Sequence, residues 1–507
     1  MRHPLSRATA ALTTSLVAMA LVACTSADPV QSPQPAPSSA TSEPSSQSPA
    51  PEPSPQPVGA RPAEPPALSH VPGEGPAGLA LAALRTYWTS APVVVLGPAA
   101  DAEAVELAEE LELPLLPTED PAALEAEIER LGVRGVVLAG EAEAPEGVDV
   151  LDPEDLPADA RPAAPLQGAV VLTDGSRAAR AAVQVARAAG AEVHRARRGD
   201  PRASRSLLAA YAEGRVPRSL VALGDAFGDA ATLTALLRPV STGVVLPSGS
   251  QLVFDRTRYV ALYGSPLTPA LGVLGEQSVA ESVERARRLA KRYDALVEET
   301  VVPGFEVIAT VASAGAGDDG NYSNELPLEQ IRPYVEAARE AGVYVILDLQ
   351  PGRTDFLTQA KRYEELLREP HVGLALDPEW RLKKNQVHLR QIGSVGIKEV
   401  NAVASWLAEL VRTEALPQKM FVLHQFRGSM IRNRHRLDTS HPELAPVIHV
   451  DGQGSQPAKH GTWRTLLVDA PEGVHWGWKN FYDEDRPMAT PEETVAVEPL
   501  PHLVTYQ

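Results

Sequence analysis

Uninterrupted apolar runs recur from about Leu79 to the end of the chain, with amphipathic stretches between them. Val93-Val94-Val95-Leu96-Gly97, Val136-Val137-Leu138-Ala139-Gly140, Val170-Val171-Leu172-Thr173-Asp174 and Leu220-Val221-Ala222-Leu223-Gly224 are four of them. None alternates apolar with polar residues, so each reads as a strand covered on both faces. The intervening segments carry the helical period: Val105, Leu107, Ala108 and Leu111 share one side, and Leu124, Ile128 and Leu131 another. Strands that alternate with helices form a parallel sheet, because parallel neighbours need a crossover long enough to hold a helix.

From about Arg258 the same pattern continues with a longer period. Candidate strands are Tyr259–Tyr263, Phe305–Ala312, Tyr344–Leu349, Val372–Leu376, Met420–His424, Val447–Asp451 and Val474–Trp478. Helical patterns cover Ser278–Val297, Leu328–Ala341 and Val400–Val411. Seven strand–helix units over this length match the size of a (β/α)8 barrel. The eighth strand is expected within Ile392–Ile397. The fold class is α/β, with a Rossmann-like parallel-sheet domain at 77–254 and a TIM-barrel-like domain at 255–507.

The residues that end the barrel strands carry the functional signal. Asp348 follows Tyr344-Val345-Ile346-Leu347, and Asp377-Pro378-Glu379-Trp380 follows Gly373-Leu374-Ala375-Leu376. His424-Gln425, Asp451-Gly452-Gln453 and Lys479-Asn480 end three further runs. The C-terminal mouth of a barrel is where such enzymes keep their chemistry. Asp377 and Glu379 are the sharpest pair. At i and i+2 of an extended chain their side chains leave one face, and Pro378 pushes Asp377 away from helical geometry. Adjacent carboxylates drive one pKa upward, which suits a proton donor beside an anion. The candidate catalytic residues are therefore Asp377, Glu379, Asp348 and Asp451. The candidate substrate-binding residues are Trp380, His424, Gln425, Gln453, Trp476, Trp478 and Lys479. Flat rings stack on sugar faces, and the tryptophans crowd into this half of a chain with only 5% aromatics.

The Leu376-Asp377-Pro378-Glu379 segment resembles the Asp-x-Glu that ends the fourth strand in glycoside hydrolase families 18 and 25. The longer Asp-x-x-Asp-x-Asp-x-Glu run of family 18 is absent. The resemblance implies a (β/α)8 barrel acting on N-acetylated sugar polymers. Asp377 would orient the substrate's acetamido group, Glu379 would protonate the leaving oxygen, and Trp476 or Trp478 would floor the sugar site.

Asp101-Ala102, Leu113-Pro114-Leu115-Leu116-Pro117-Thr118 and Gly132 to Gly140 resemble cell-wall-binding repeat 2, which implies attachment to a wall polymer. The basic Arg432-Asn433-Arg434-His435-Arg436 stretch offers contact with an anionic polymer, or a solvated face. Gly224-Asp225-Ala226-Phe227-Gly228 is too weak a glycine loop to imply a nucleotide. The histidines show no His-x-x-x-His pairing, so neither a metal site nor a cofactor is expected.

Cys24 is the single cysteine of 507 residues. It follows Leu21-Val22-Ala23, a basic start with Arg2 and Arg7, and a short alanine-rich apolar run. This segment resembles the lipobox of bacterial lipoproteins, which implies a signal peptide at 1–23 and lipidation of Cys24. Residues 24–76 are rich in Pro, Ser, Ala, Gln and Glu, and read as a disordered tether. The whole arrangement resembles conserved actinobacterial cell-envelope lipoproteins. A net charge of −19 excludes a general nucleic-acid role. The sequence thus points to a membrane-anchored, extracytoplasmic protein with a wall or surface glycan as partner. It either cuts that glycan or binds it without chemistry. Unequal halves argue against a two-lobed solute receptor.

Overall fold

The computed structural model describes residues 59–507. The signal peptide, the Cys24 lipidation site and most of the tether lie outside the described residues. The last part of the expected tether is structured: Leu68–Val71 runs parallel to Ser219–Leu223. Its four residues escape the surrounding proline-rich composition and supply a sheet edge.

Two four-stranded parallel sheets precede the barrel. One has the order Leu115–Pro117, Val93–Gly97, Gly135–Leu138, Asp149–Val150. The other has the order Leu68–Val71, Ser219–Leu223, Ala169–Thr173, Glu192–Arg195. Helices Gly75–Tyr87 and Arg180–Ala188 pack together between them, burying Ala80, Ala83 and Leu84 with Ala181, Ala182 and Val185. The small side chains let the helix backbones approach closely. Gln184 is buried in this layer, where its amide donates to Leu113 O at 2.6 Å and accepts from Leu115 N at 3.1 Å.

Eight parallel strands then close on themselves. They are β1 (Thr257–Gly264), β2 (Thr300–Ala312), β3 (Tyr344–Leu349), β4 (Val372–Leu376), β5 (Lys419–Gln425), β6 (Leu444–Val450), β7 (His475–Asn480) and β8 (Leu503–Tyr506). β8 pairs with both β7 and β1, and β1 with β2, which closes the cylinder. The eighth strand is therefore Leu503–Tyr506 and not Ile392–Ile397. Within that latter stretch Val395–Gly396 makes a short ladder with Ile431–Arg432 outside the barrel. β8 is only four residues long and follows Pro499 and Pro501, so its apolar run is too brief to stand out.

Strand alternation sorts the barrel into two shells. Outward residues, among them Leu262, Val307, Leu347, Leu374, Leu423, Ile448 and Val504, pack on the helices. Inward residues of the lower half, including Tyr259, Val302, Tyr344, Ile346, Met420, Val422 and Leu503, form an apolar plug. Leu246 and Val253, from the segment leading into β1, complete this plug from below. Gly373 makes room for Tyr344: a Cβ there would lie 2.9 Å from the Tyr344 hydroxyl, which accepts from Met420 N at 3.0 Å. The alternation turns polar one layer higher.

Candidate active site at the barrel mouth

The upper interior layer takes a polar side chain from each strand or its immediate end: Tyr263, Glu306, Asp348, Asp377, His424, His449 with Asp451, Lys479 and Thr505. All are buried. Strand alternation turns these side chains inward, since neighbours such as Leu262, Val307, Leu347, Leu376, Leu423, Val450, Trp478 and Val504 point outward to the helices.

His424 is the hub. Its Nε2 lies 2.7 Å from Glu306 Oε1 and 3.9 Å from Asp348 Oδ1, and its Nδ1 lies 3.1 Å from Asp451 Oδ2. Tyr263 donates its hydroxyl to Asp348 Oδ2 at 2.8 Å, and the Lys479 ammonium sits 3.5 Å above the Tyr263 ring. The His449 ring stacks on His424 at 4.9 Å and its Nε2 meets Thr505 Oγ1 at 2.9 Å. Gly477 permits this stack, since a Cβ there would press within 3.1 Å of His449 Cγ. Below the rim, Lys459 donates to Gly452 O at 2.9 Å and Lys479 O at 2.6 Å, and pairs with Asp485 at 2.9 Å. That lysine ties the loop carrying Asp451 to the end of β7.

Burial opposes charge on His424, but Glu306, Asp451 and Asp348 outweigh it and hold the imidazole well above its usual pKa. It is therefore an imidazolium with two carboxylate acceptors. His449 is pushed well below its usual value by burial and by His424, so it stays neutral. Burial also works against the Asp451 carboxylate, yet His424 and Lys479 keep it below its ordinary value and ionised. Burial and the Glu306 charge push Asp348 up to about 6 against the pull of His424. Burial and the neighbouring Asp348 push Asp377 well upward. Burial and Asp451, opposed by Lys479, push Glu379 up to about 7.

The structure gathers Asp348, Asp377, Asp451, His424 and Lys479 into one cluster, with half-buried Glu379 at its rim. The local geometry of the Asp-x-Glu pair differs from the extended expectation. Pro378–Trp380 is a single 3-10 turn, capped by Asp377 through Glu379 N at 3.3 Å. The two carboxyls remain electrostatic neighbours, but they do not share one extended face.

Four proposed sugar contacts move elsewhere. Trp476 and Trp478 point outward and pack on Trp463 of helix Gln456–Leu467, with ring centroids 5.6 and 5.5 Å apart. The alternation of β7 explains this, because Lys479 inward places its neighbour Trp478 outward. Gln425 likewise faces away and accepts from Arg434 Nη1 at 3.2 Å. Arg434 is buried and also donates to Leu466 O and Val468 O, so this member of the basic stretch serves packing. Gln453 is exposed on the loop beyond Asp451. Trp380 is half-buried beside Glu379 and meets His388 at 5.3 Å.

Glu306, Tyr263, His449 and Thr505 are site residues that strand-end inspection passes over, because all lie inside strands. Glu306 carried a usable signal: a carboxylate within Phe305-Glu306-Val307-Ile308 needs a buried partner. The expectation of no metal ligands also rested on local spacing. Glu306, Asp348 and His424, far apart in sequence, instead bring one ligand-type atom each within 4.8 Å of one another. Cavities of about 650 and 470 Å³ lie at the opposite end of the barrel, lined by Arg256, Arg258, Glu299 and His502 and by Arg197, Arg198, Arg202 and His475. Neither touches Asp377 or Glu379.

A protonated carboxyl at the rim above an ionised one can deliver a proton to a leaving oxygen and stabilise the positive charge that follows. Among the described residues no helix is long and apolar enough to cross a membrane. Set against known protein families and curated proteins, the chain matches none.

Proposed function

We propose that the barrel is a glycosidic hydrolase in which Glu379 is the proton donor. The observation that carries this reading is the contrast between two neighbours. Glu379, half-buried at the rim, is pushed up to about 7, whereas Asp451, close enough to raise it, stays ionised. An acid that is still protonated near neutral pH, beside a fixed anion, is the division of labour that glycoside cleavage requires. Glu379 gives its proton to the bridging oxygen as the bond to the anomeric carbon breaks. Asp451 stabilises the developing positive charge. Asp377, held protonated, donates a hydrogen bond to the substrate. Water then adds its hydroxyl to the anomeric carbon to make the new reducing end, and its remaining proton returns to Glu379.

The substrate in this reading is an N-acetylated wall or surface glycan, in keeping with the Asp-x-Glu resemblance. The two small parallel sheets act as a Rossmann-like wall-binding unit, and lipidated Cys24 holds the protein on the outer face of the membrane through its tether. Nucleic acid is no partner. The test is turnover of peptidoglycan and chitin oligomers by the detergent-solubilised full chain and by Glu379→Gln. Release of new reducing ends by the wild type, lost in the variant, supports the reading. Binding without cleavage in both would replace it with a non-catalytic glycan receptor.

A further inference from the structure

We propose that Glu306, Asp348 and His424 form a site for one divalent first-row transition ion, Zn²⁺ or Mn²⁺, on the floor of the barrel mouth. This goes beyond the glycosidase reading, which requires no metal.

The ligand geometry is the first argument. The three side chains come from β2, β3 and β5, and their nearest donor atoms lie within 4.8 Å of one another. His424 Nε2 is 2.7 Å from Glu306 Oε1 and 3.9 Å from Asp348 Oδ1. Donors about 2.0–2.2 Å from a shared ion lie roughly 3–4 Å from each other, so only small side-chain movements are required. The ion takes the place of the proton now shared between Nε2 and Glu306.

Two oxygens of this cluster lack hydrogen-bond partners. Glu306 Oε2 and Asp348 Oδ1 are fully buried, and no group among the described residues hydrogen-bonds to either. A buried carboxylate oxygen without a partner is costly, so such atoms mark a place where a cation belongs. The site is rich in carboxyl groups: Glu306, Asp348, Asp377, Glu379 and Asp451 lie near Lys479 and His424.

His424 Nδ1 is hydrogen-bonded to Asp451 Oδ2 at 3.1 Å, and Asp348 Oδ2 accepts from Tyr263 at 2.8 Å. Each outer partner holds the far atom of a ligand and turns the near atom toward the centre. Metal-binding histidines and carboxylates are generally braced in this way. One imidazole with two carboxylates suits Zn²⁺ or Mn²⁺ better than Ca²⁺ or Mg²⁺, which prefer oxygen alone. Asp451 is a positioning residue in this scheme, not a ligand.

The experiment reads binding rather than turnover, so its failure is distinct from failure of the glycosidase reading. Untagged full-length protein in detergent is stripped with EDTA and titrated with ZnCl₂, MnCl₂ and CaCl₂. CoCl₂ serves as an absorption reporter of imidazole–carboxylate coordination. The expected result is one Zn²⁺ or Mn²⁺ per chain and a raised melting temperature. Asp348→Asn should abolish binding, and Asp451→Asn should weaken it about 10–100-fold. Should Asp348→Asn not fold, Tyr263→Phe provides the milder test, with a clear loss of affinity expected. Wild-type protein that takes up no stoichiometric Zn²⁺ or Mn²⁺, takes up only Ca²⁺, or binds unchanged in the folded variants would overturn the proposal.

Discussion

His424 on β5 and Glu306 on β2 meet across the barrel interior at 2.7 Å, and neither side chain has any solvent exposure. Asp451 holds the other side of the same ring. Removing the histidine leaves Glu306 without its partner and Asp451 with Lys479 as its remaining cation. Breaking a buried pair in this way costs about 3–5 kcal/mol, since the surviving charge has lost its solvent and its partner. His424→Ala should lower the urea midpoint accordingly. Replacing His424 and Glu306 together by Leu and Gln should recover part of the loss.

The rim acid makes stability depend on pH. Glu379 titrates at about 7 when folded, above its ordinary value of 4.5. The folded chain therefore holds this proton more tightly than the unfolded one. Its contribution is full below about pH 4.5 and is lost as pH rises toward 7. With partial solvent access discounted, the loss is roughly 2–3 kcal/mol. Denaturation midpoints measured in EDTA between pH 4.5 and 7.5 should show that fall in the wild type and a flatter profile in Glu379→Gln.

Packing and binding roles of the tryptophans separate cleanly. Trp478 is buried against Trp463 and donates its indole N–H to Asn480 Oδ1 at 2.8 Å. Trp478→Ala should destabilise the barrel by about 3–5 kcal/mol. Trp380 is half-buried beside Glu379, so Trp380→Ala should raise KM for a glycan while shifting the melting temperature little.

Much of this fold is written in the apolar runs. Continuous β-branched strands with helices between them announce a parallel α/β chain, and seven barrel strands can be counted from pattern alone. β8 escapes because four residues just after Pro499 and Pro501 carry little periodicity. The site was legible only where it sits at strand ends: Asp348, Asp377, Glu379, His424, Asp451 and Lys479 follow apolar runs. Glu306 and Tyr263 lie inside strands, where their inward direction follows from register. Trp476 and Trp478 show the same principle in reverse. Their distance from the strand end looked right, but period-2 alternation decides the face, and Lys479 already occupied the interior one.

The floor of the barrel gives a further prediction. Leu246 and Val253 fill the lower opening from a segment outside the eight strands. Leu246→Ala should cost about 2–5 kcal/mol through the cavity it leaves. Because the polar layer lies at the other end, KM for any substrate should be unchanged in material that remains folded.

Cleavage in the proposed reaction turns on the proton of Glu379. The most direct measurement is the pH profile of kcat for wild type and Glu379→Gln on N-acetylglucosamine oligomers that carry a poor leaving group. The account predicts a wild-type rate that falls as pH rises through about 7, and a variant slowed about 10²–10⁴-fold without that alkaline limb. A variant that cleaves at the wild-type rate with the same profile would contradict it.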